Sequence, residues 1–529
     1  MKFSPYIPLV IIFIIVFPYS YQAQDTILIT RGAYLQQVTP TSIIIRWRTN
    51  IPVNSKVEYG SGLDYDSEVI LNKITTEHVI NLTNLNPAAK YFYSVGTSST
   101  KLQGDSLNYF YTAPDSGDAP FTRIWVTGDF GVGTSNQSAV RDAFVKLDAV
   151  PTNLWLWLGD NAYNSGTDQQ YQDYVFNMYP DELKHFPLYP SPGNHDYSER
   201  GYNSRASLTT NFPYFDIFTV PQKGEAGGIA SRTPKYYSFN YGNIHCISLD
   251  SYGASNKPGS PMYNWLVEDL ASNNKLWTII YFHHPPFSKG SHDSDSEREL
   301  IDIRTHLVPL FETFKVDLVL SGHSHSNERS YFMRGHNGPS YTFDTTMKMS
   351  GHISEFVKEF PFEGTVYAVC GTSGQLPGKQ MDAPMPCMHF NDFTSNCSMV
   401  IDVDKNQLRA RFLTSKGIIA DEFSIMKHKP SVPATDSTAS CEISYHPASG
   451  IIYLSMFLHK KSDFSATLHS AMGEKILEMK TLPKPMHEGY QVLPIWIRKK
   501  VRYEGTYVVK VTIGNQHFSK RIFVRPEIK

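Results

Sequence analysis

The chain has 529 residues, of which 41% are hydrophobic and 19% charged, with a formal net charge of −2. That length suits about three domains with a sizeable core. So small a net charge excludes a global basic field, and no nucleic-acid partner is expected.

In chain order, the first element is a targeting segment. Lys2 precedes an apolar run at residues 9–17, and small or polar residues lead on to Ala23, Gln24 and Asp25. This is the layout of a secretory signal peptide over residues 1–23, which predicts a secreted or cell-surface protein. The run is short against the roughly 20 residues of a membrane span, so no stable span is expected.

Residues 24–115 read as strands throughout. The runs 42–48, 55–60, 78–82 and 90–96 are separated by turn signals such as Asn86-Pro87, the spacing of a β-sandwich. From about Phe121 apolar strands alternate with helix-like stretches, which predicts a layered α/β core across residues 116–428. Each apolar run leads into a short polar motif. Residues 124–126 lead to Asp129, 154–158 to Asp160 and Tyr163, and 188–189 to Asn194. Residues 277–281 lead to His283, and 317–320 to His323 and His325. Open α/β sheets place their sites at the carboxyl edge of the strands, so residues far apart in sequence can meet there. A linker rich in Pro, Ser and Thr follows at 429–438, then a second strand-rich β-sandwich unit at 439–529. Of the five cysteines, Cys387 and Cys397 flank a loop rich in Asn, Asp and Ser and are the candidate disulfide. Cys246 and Cys370 read as buried thiols.

Asp129, Asp160, Tyr163, Asn194, His283, His323 and His325 are donors enough for two metal ions sharing one carboxylate. Paired metals suit phosphoester hydrolysis, because they neutralise charge, generate hydroxide and hold attack in line. Asp160, in the densest motif, is the natural bridge. Tyr163, three residues on, is a hard anionic oxygen donor that favours a trivalent ion such as Fe(III). Asp129 and one histidine would complete that site, while Asn194 and two histidines would suit a divalent ion. With a bridging hydroxide, such a pair leaves roughly one positive charge facing an anionic substrate.

The set Asp129-x-Gly131, Gly159-Asp160-x-x-Tyr163, Gly193-Asn194-His195, Ile280-x-x-His283 and Gly322-His323-x-His325 resembles the purple acid phosphatases, which are calcineurin-like metallophosphoesterases. The resemblance covers about residues 28–425. It includes a fibronectin type III-like first domain, marked by the Trp47 strand and the corner from Leu85-Asn86-Pro87 to Tyr91-Phe92-Tyr93. It implies an αββα-type catalytic core and an acid phosphatase acting on small-molecule phosphomonoesters by metal-activated hydroxide attack. It further implies that Asp129, Tyr163 and His325 hold Fe(III), and that Asn194, His283 and His323 hold zinc, manganese or iron, with Asp160 bridging. His195 would contact substrate phosphate, and His292 or His195 would assist the leaving group. His284 competes with His283, but the family's ligand precedes x-Pro, as in His283-His284-Pro285. Asn327 stands where the family commonly has an aromatic at the substrate pocket, which bears on substrate preference. Two rivals remain: a phosphodiesterase or nucleotidase on the same scaffold, and a catalytically silent surface-binding protein, which would require a broken ligand set.

The last unit carries a separate resemblance. Tyr445-His446-Pro447-Ala448-Ser449-Gly450, residues 505–511 and residues 520–524 look like the C-terminal sorting domains of the type IX secretion system in Bacteroidetes. This implies secretion machinery as a partner and export across an outer membrane.

Overall fold

The computed structural model describes residues 26–115, 117–200, 210–359, 362–376, 383–427, 439–446, 450–480, 489–497 and 500–525. The expected signal peptide and the 429–438 linker lie outside the described residues. No described helix is long and apolar enough to cross a membrane.

Six strands, Ile29–Gln36, Ile43–Gly60, Ser67–Leu82, Lys90–Gly96, Lys101–Gln103 and Tyr109–Tyr111, form the N-terminal β-domain. The register between the second and third strands shifts between Arg48 and Ser55, and such an irregularity lets a long strand bend round the core. Inside it, Trp47 is fully buried and stacks on His78 at 4.7 Å between centroids.

The central unit is built on two seven-stranded sheets. One runs Tyr237–Tyr241, Ile244–Ser248, Trp277–Tyr281, Leu318–Ser321, Val366–Cys370, Asn327–Ser330, Met388–Asp392. The other runs Glu355–Lys358, Ile419–Lys427, Gln407–Thr414, Cys397–Asp404, Thr122–Thr127, Leu154–Trp157, Leu188–Pro190. Side-chain alternation explains the layers. In the first sheet Ile279, Tyr281, Leu318, Leu320 and Val366 enter the core shared with Val126 and Leu156. Their neighbours Ile280, Val319 and Tyr367 face the opposite way, into a second core with the helices Pro261–Ser272, Arg298–His306 and Val308–Thr313. A strand buried on both faces reads as a continuous apolar run, which is why these segments lack alternation in the sequence. The outer face of the other sheet is covered by helix Ser135–Val145, whose Phe144 stacks flat on Trp125 at 4.3 Å. The result is a helix–sheet–sheet–helix arrangement.

Three strands, Ala439–His446, Ile451–Leu458 and Gly489–Trp496, and four more, Phe464–Ser470, Lys475–Lys480, Gly505–Ile513 and Gln516–Val524, make the C-terminal β-sandwich. Tyr453 packs its ring against Phe314 of the central unit at 5.3 Å. The first domain is also docked. Tyr34 Oη donates to the Ile217 carbonyl at 2.8 Å, and the Arg31 and Arg48 guanidiniums both pair with Asp168.

The expected Cys387–Cys397 disulfide is not formed, and all five cysteines are free thiols. The reason is topological. Cys387 belongs to the core under the helices, whereas Cys397 starts a strand of the other sheet and belongs to the core between the sheets. Cys246 and Cys370 are fully buried.

Candidate metal centre

Every strand that leads into a site motif is a parallel one. Thr122–Thr127, Leu154–Trp157 and Leu188–Pro190 pair in parallel, and so do Trp277–Tyr281 and Leu318–Ser321. Their carboxyl ends therefore lie side by side. Asp129, Asp160, Tyr163 and Asn194 come from one sheet, and His283, His323 and His325 from the other, so the site straddles the seam between them. The backbone there is strained: Asp129, Asp160 and His323 take φ values of 56°, 50° and 65°. Non-glycine residues in that region cost on the order of 1–3 kcal/mol each, and such positions cluster at functional sites.

The side chains form two groups with one carboxylate in common. Tyr163 Oη lies 2.9 Å from Asp129 Oδ1, 3.0 Å from Asp160 Oδ2 and 3.4 Å from His325 Nε2. On the other side, His283 Nε2 lies 3.1 Å from Asp160 Oδ2 and 3.1 Å from Asn194 Oδ1. Ring nitrogens of His283 and His323 and a carboxylate oxygen of Asp160 all fall within 4.8 Å of one another. His283 Nδ1 donates to the Leu158 carbonyl at 2.9 Å, which turns the other nitrogen toward the site. His284 points elsewhere: its Nδ1 is 2.9 Å from Ser251 Oγ. Glycines make room for the cluster. A Cβ on Gly193 would stand 2.2 Å from Asp160 Oδ1, and one on Gly322 would stand 2.3 Å from Asp129 Oδ2.

The electrostatics are those of crowded donors. Burial, then the Asp129 and Asp160 carboxylates, raises the Tyr163 phenol well above its usual value. Burial pushes the Asp160 carboxyl up, but His283, with smaller help from His195 and His323, holds it well below the usual carboxylate range. His283 is pushed up to about 9, because Asp160 and Asp129 outweigh its burial. Burial takes His323 down to about 4 against the pull of Glu297. Two buried carboxylates, a phenol, an amide oxygen and three imidazoles form a donor set with anionic oxygens on one side and neutral groups on the other. It fits a pair of cations, the harder and more highly charged beside Tyr163.

His195 and His292 flank this set. The backbone N–H of His195 donates to Asp160 Oδ1 at 2.8 Å, and its ring Nδ1 meets the Asn164 carbonyl at 2.6 Å. Its Nε2 lies 3.8 Å from Asp160 Oδ2. The His292 ring lies 3.8 Å from that of His323, and its Nδ1 is 2.9 Å from Glu297 Oε2. Glu297 also approaches His323 Nε2, at 3.6 Å. Sequence reasoning missed Glu297, whose one signal is its place just ahead of helix Arg298–His306, five residues after His292. It also assigned no role to Asp196, which is buried and accepts from the Gly193 N–H at 2.7 Å and the Asn161 amide at 3.0 Å. These bonds brace the loops of Asn194 and Asp160 against each other. Asn327 does not border an open face: it is fully buried, its amide bonded to the Ser395 carbonyl and the Thr372 hydroxyl.

Known proteins bear on this arrangement. The family described as calcineurin-like phosphoesterase matches residues 122–327. A purple acid phosphatase of Glycine max is 28% identical over 333 residues, 59% of this chain and 67% of that protein. Purple acid phosphatase 15 of Arabidopsis thaliana is 28% identical over 294 residues, 51% of each chain. The chain thus spans about half to two thirds of these relatives. Acid phosphatase type 7 of Mus musculus is 27% identical over 372 residues, 63% of this chain and 75% of that one. Among solved structures, a purple acid phosphatase from yellow lupin seeds superposes with a TM-score of 0.58 at 17% identity, covering 75% of both chains, which is a likeness of fold. The chain therefore carries a calcineurin-like metallophosphoesterase domain and has purple acid phosphatases among its relatives.

Proposed function

We propose that the protein is a secreted acid phosphatase that hydrolyses phosphomonoesters at a dinuclear metal centre. Asp129, Tyr163 and His325 would hold Fe(III), Asn194, His283 and His323 a divalent ion (zinc, manganese or iron), and Asp160 would serve both. When bound, such a pair supplies Lewis acidity toward the phosphate and lowers the pKa of water at the site. The observation that carries this reading is that Asp160 Oδ2 stands 3.0 Å from Tyr163 Oη and 3.1 Å from His283 Nε2 at once.

The remaining work falls to side chains. His195, with Nδ1 tied to a backbone carbonyl, presents Nε2 toward the site and would hold a phosphate oxygen. His292, with Nδ1 tied to Glu297, keeps Nε2 for the oxygen of the departing alcohol, to which it would pass a proton. Export rests on the charged and apolar pattern of residues 1–23 and on the sorting-domain likeness of residues 439–529.

Metal analysis of the purified protein, with its visible spectrum and its rates on a monoester and a diester, tests the proposal. The expected result is about one iron and one further metal per chain, a violet band and faster monoester hydrolysis. A colourless protein without iron, or one that prefers diesters, would overturn it. Cell fractionation with N-terminal sequencing checks the export reading, with cleavage expected near Ala23.

A further inference from the structure

Two irregular stretches carry His292 and the His323–His325 pair, and no strand pairing joins them. Besides the ring contact of His292 with His323 and the Glu297 carboxylate between them, a closed chain of hydroxyls beneath the site joins the two stretches. Ser288, Ser324, Ser326 and Glu328 are all fully buried. The Ser288 and Ser326 hydroxyls both donate to Glu328 Oε2, the second at 2.8 Å. Ser324 Oγ lies 2.7 Å from Ser288 Oγ and 3.1 Å from Ser326 Oγ, and the Lys289 N–H donates to Glu328 Oε1 at 3.3 Å. At the top, the His292 N–H donates to Ser324 Oγ at 3.4 Å and the His325 N–H donates to Ser291 Oγ at 2.8 Å.

The proton count is consistent. Each hydroxyl has one proton: those of Ser288 and Ser326 lie between Glu328 Oε2 and Ser324 Oγ, and Ser324 Oγ accepts from both serines. Glu328 only accepts. No cationic side chain among the described residues is paired with it, since the next residue, Arg329, is committed to Asp421. A carboxylate buried without a cation is costly unless hydrogen bonds satisfy it, and here three donors do so.

We propose that Glu328 is a positioning residue: it roots a hydroxyl staple that sets the His292 stretch against the His323–His325 stretch. It thereby fixes where the His292 imidazole meets the leaving-group oxygen. The part concerning the leaving group rests on the phosphatase reading above; the staple itself does not. Gly290 offers an independent handle. A Cβ there would stand 2.3 Å from Ser326 Oγ and 2.5 Å from Ser324 Oγ, so Gly290→Ala would pry the staple open without removing any donor or acceptor.

The test uses the full-length, metal-loaded enzyme and the variants Glu328→Ala, Glu328→Gln and Gly290→Ala. Three quantities are measured: metal content, amide hydrogen exchange over residues 288–294, and kcat on phosphomonoesters of graded leaving-group pKa. Glu328→Ala and Gly290→Ala are expected to keep their metals and to exchange faster over 288–294. On alkyl esters they should lose at least about tenfold of the ~10²–10⁴ a placed proton donor supplies, against less than about threefold on an ester of an acidic phenol. Glu328→Gln, which keeps the shape and one acceptor, should recover most of both. Unchanged exchange over 288–294 in Glu328→Ala overturns the staple, even if the wild type hydrolyses no phosphomonoester. Equal losses on alkyl and aryl esters, or loss of metal with activity, overturn the positioning role.

Discussion

Asp160 and Tyr163 are three residues apart on one loop, yet the chemistry assigned to them differs, and substitutions should separate the two. Tyr163 touches Asp129, Asp160 and His325 but neither His283 nor Asn194 among the described bonds. Tyr163→Phe is therefore expected to bleach the violet band and weaken iron binding while leaving the divalent ion in place, read by spectrum and metal analysis. Asp160 touches both groups, so Asp160→Asn should lose both metals and activity together. A coloured, active Tyr163→Phe protein would show that the phenolate is not a ligand. His292→Ala belongs at this scale too. It keeps the metal donors, and kcat on alkyl esters should fall by ~10²–10⁴ while metal content holds.

Strands and the turns that follow them account for how much of the site was legible in the sequence. The run Leu154–Trp157 is apolar at every position because both faces of its sheet are covered, and the glycine after it, Gly159, marks the turn into Asp160. Such strand-then-glycine pairs could be read one by one, and so the seven donors could be named. What the sequence could not carry is contact between elements with no shared period. Glu297 touches His292 and His323 only because a helix begins where it does, and Glu328 reaches Ser288 across forty residues. The Cys387–Cys397 proposal failed for the same reason, because a flanked loop says nothing about which layer each end enters. Gly322 supplies a prediction at this scale. Its missing Cβ is where Asp129 Oδ2 sits, so Gly322→Ala must displace the carboxylate or the turn. Overpacking of this kind costs about 1–3 kcal/mol. Thermal unfolding should show that loss, and titration of iron should show weaker binding, whereas Gly351→Ala, where a Cβ meets nothing and φ is not positive, should leave iron binding untouched.

Across the whole molecule, the two sheets are joined at both ends by polar groups. At the carboxyl end of the parallel strands the candidate metal ligands come from both sheets. At the opposite end Asp317, just before strand Leu318–Ser321 of one sheet, is gripped by Lys358 at 2.7 Å and Lys427 at 2.8 Å, both from strands of the other. All three side chains are buried. Burial raises the Asp317 carboxyl, but Lys358 and Lys427 outweigh it and hold it below its ordinary 3.8. The sign follows from that depression. Between the folded value and 3.8 the unfolded chain binds the proton and the native one does not, so stability falls as pH drops through this window and is fully present above it. Asp317→Asn removes the anion that offsets the burial of Lys358 and Lys427, whose ammonium groups burial already holds below their ordinary range. The expected loss is about 3–5 kcal/mol near neutral pH, the range for breaking a buried ion pair. It should come with a shallower decline of stability below about pH 4, where the wild type loses this contribution. Denaturant unfolding of the metal-free protein from pH 3 to 7 isolates the effect from metal release, since Asp317 lies at the end of the sheets away from Asp160. A variant as stable as the wild type at pH 7 would mean that apolar contact between the sheets alone holds that end closed.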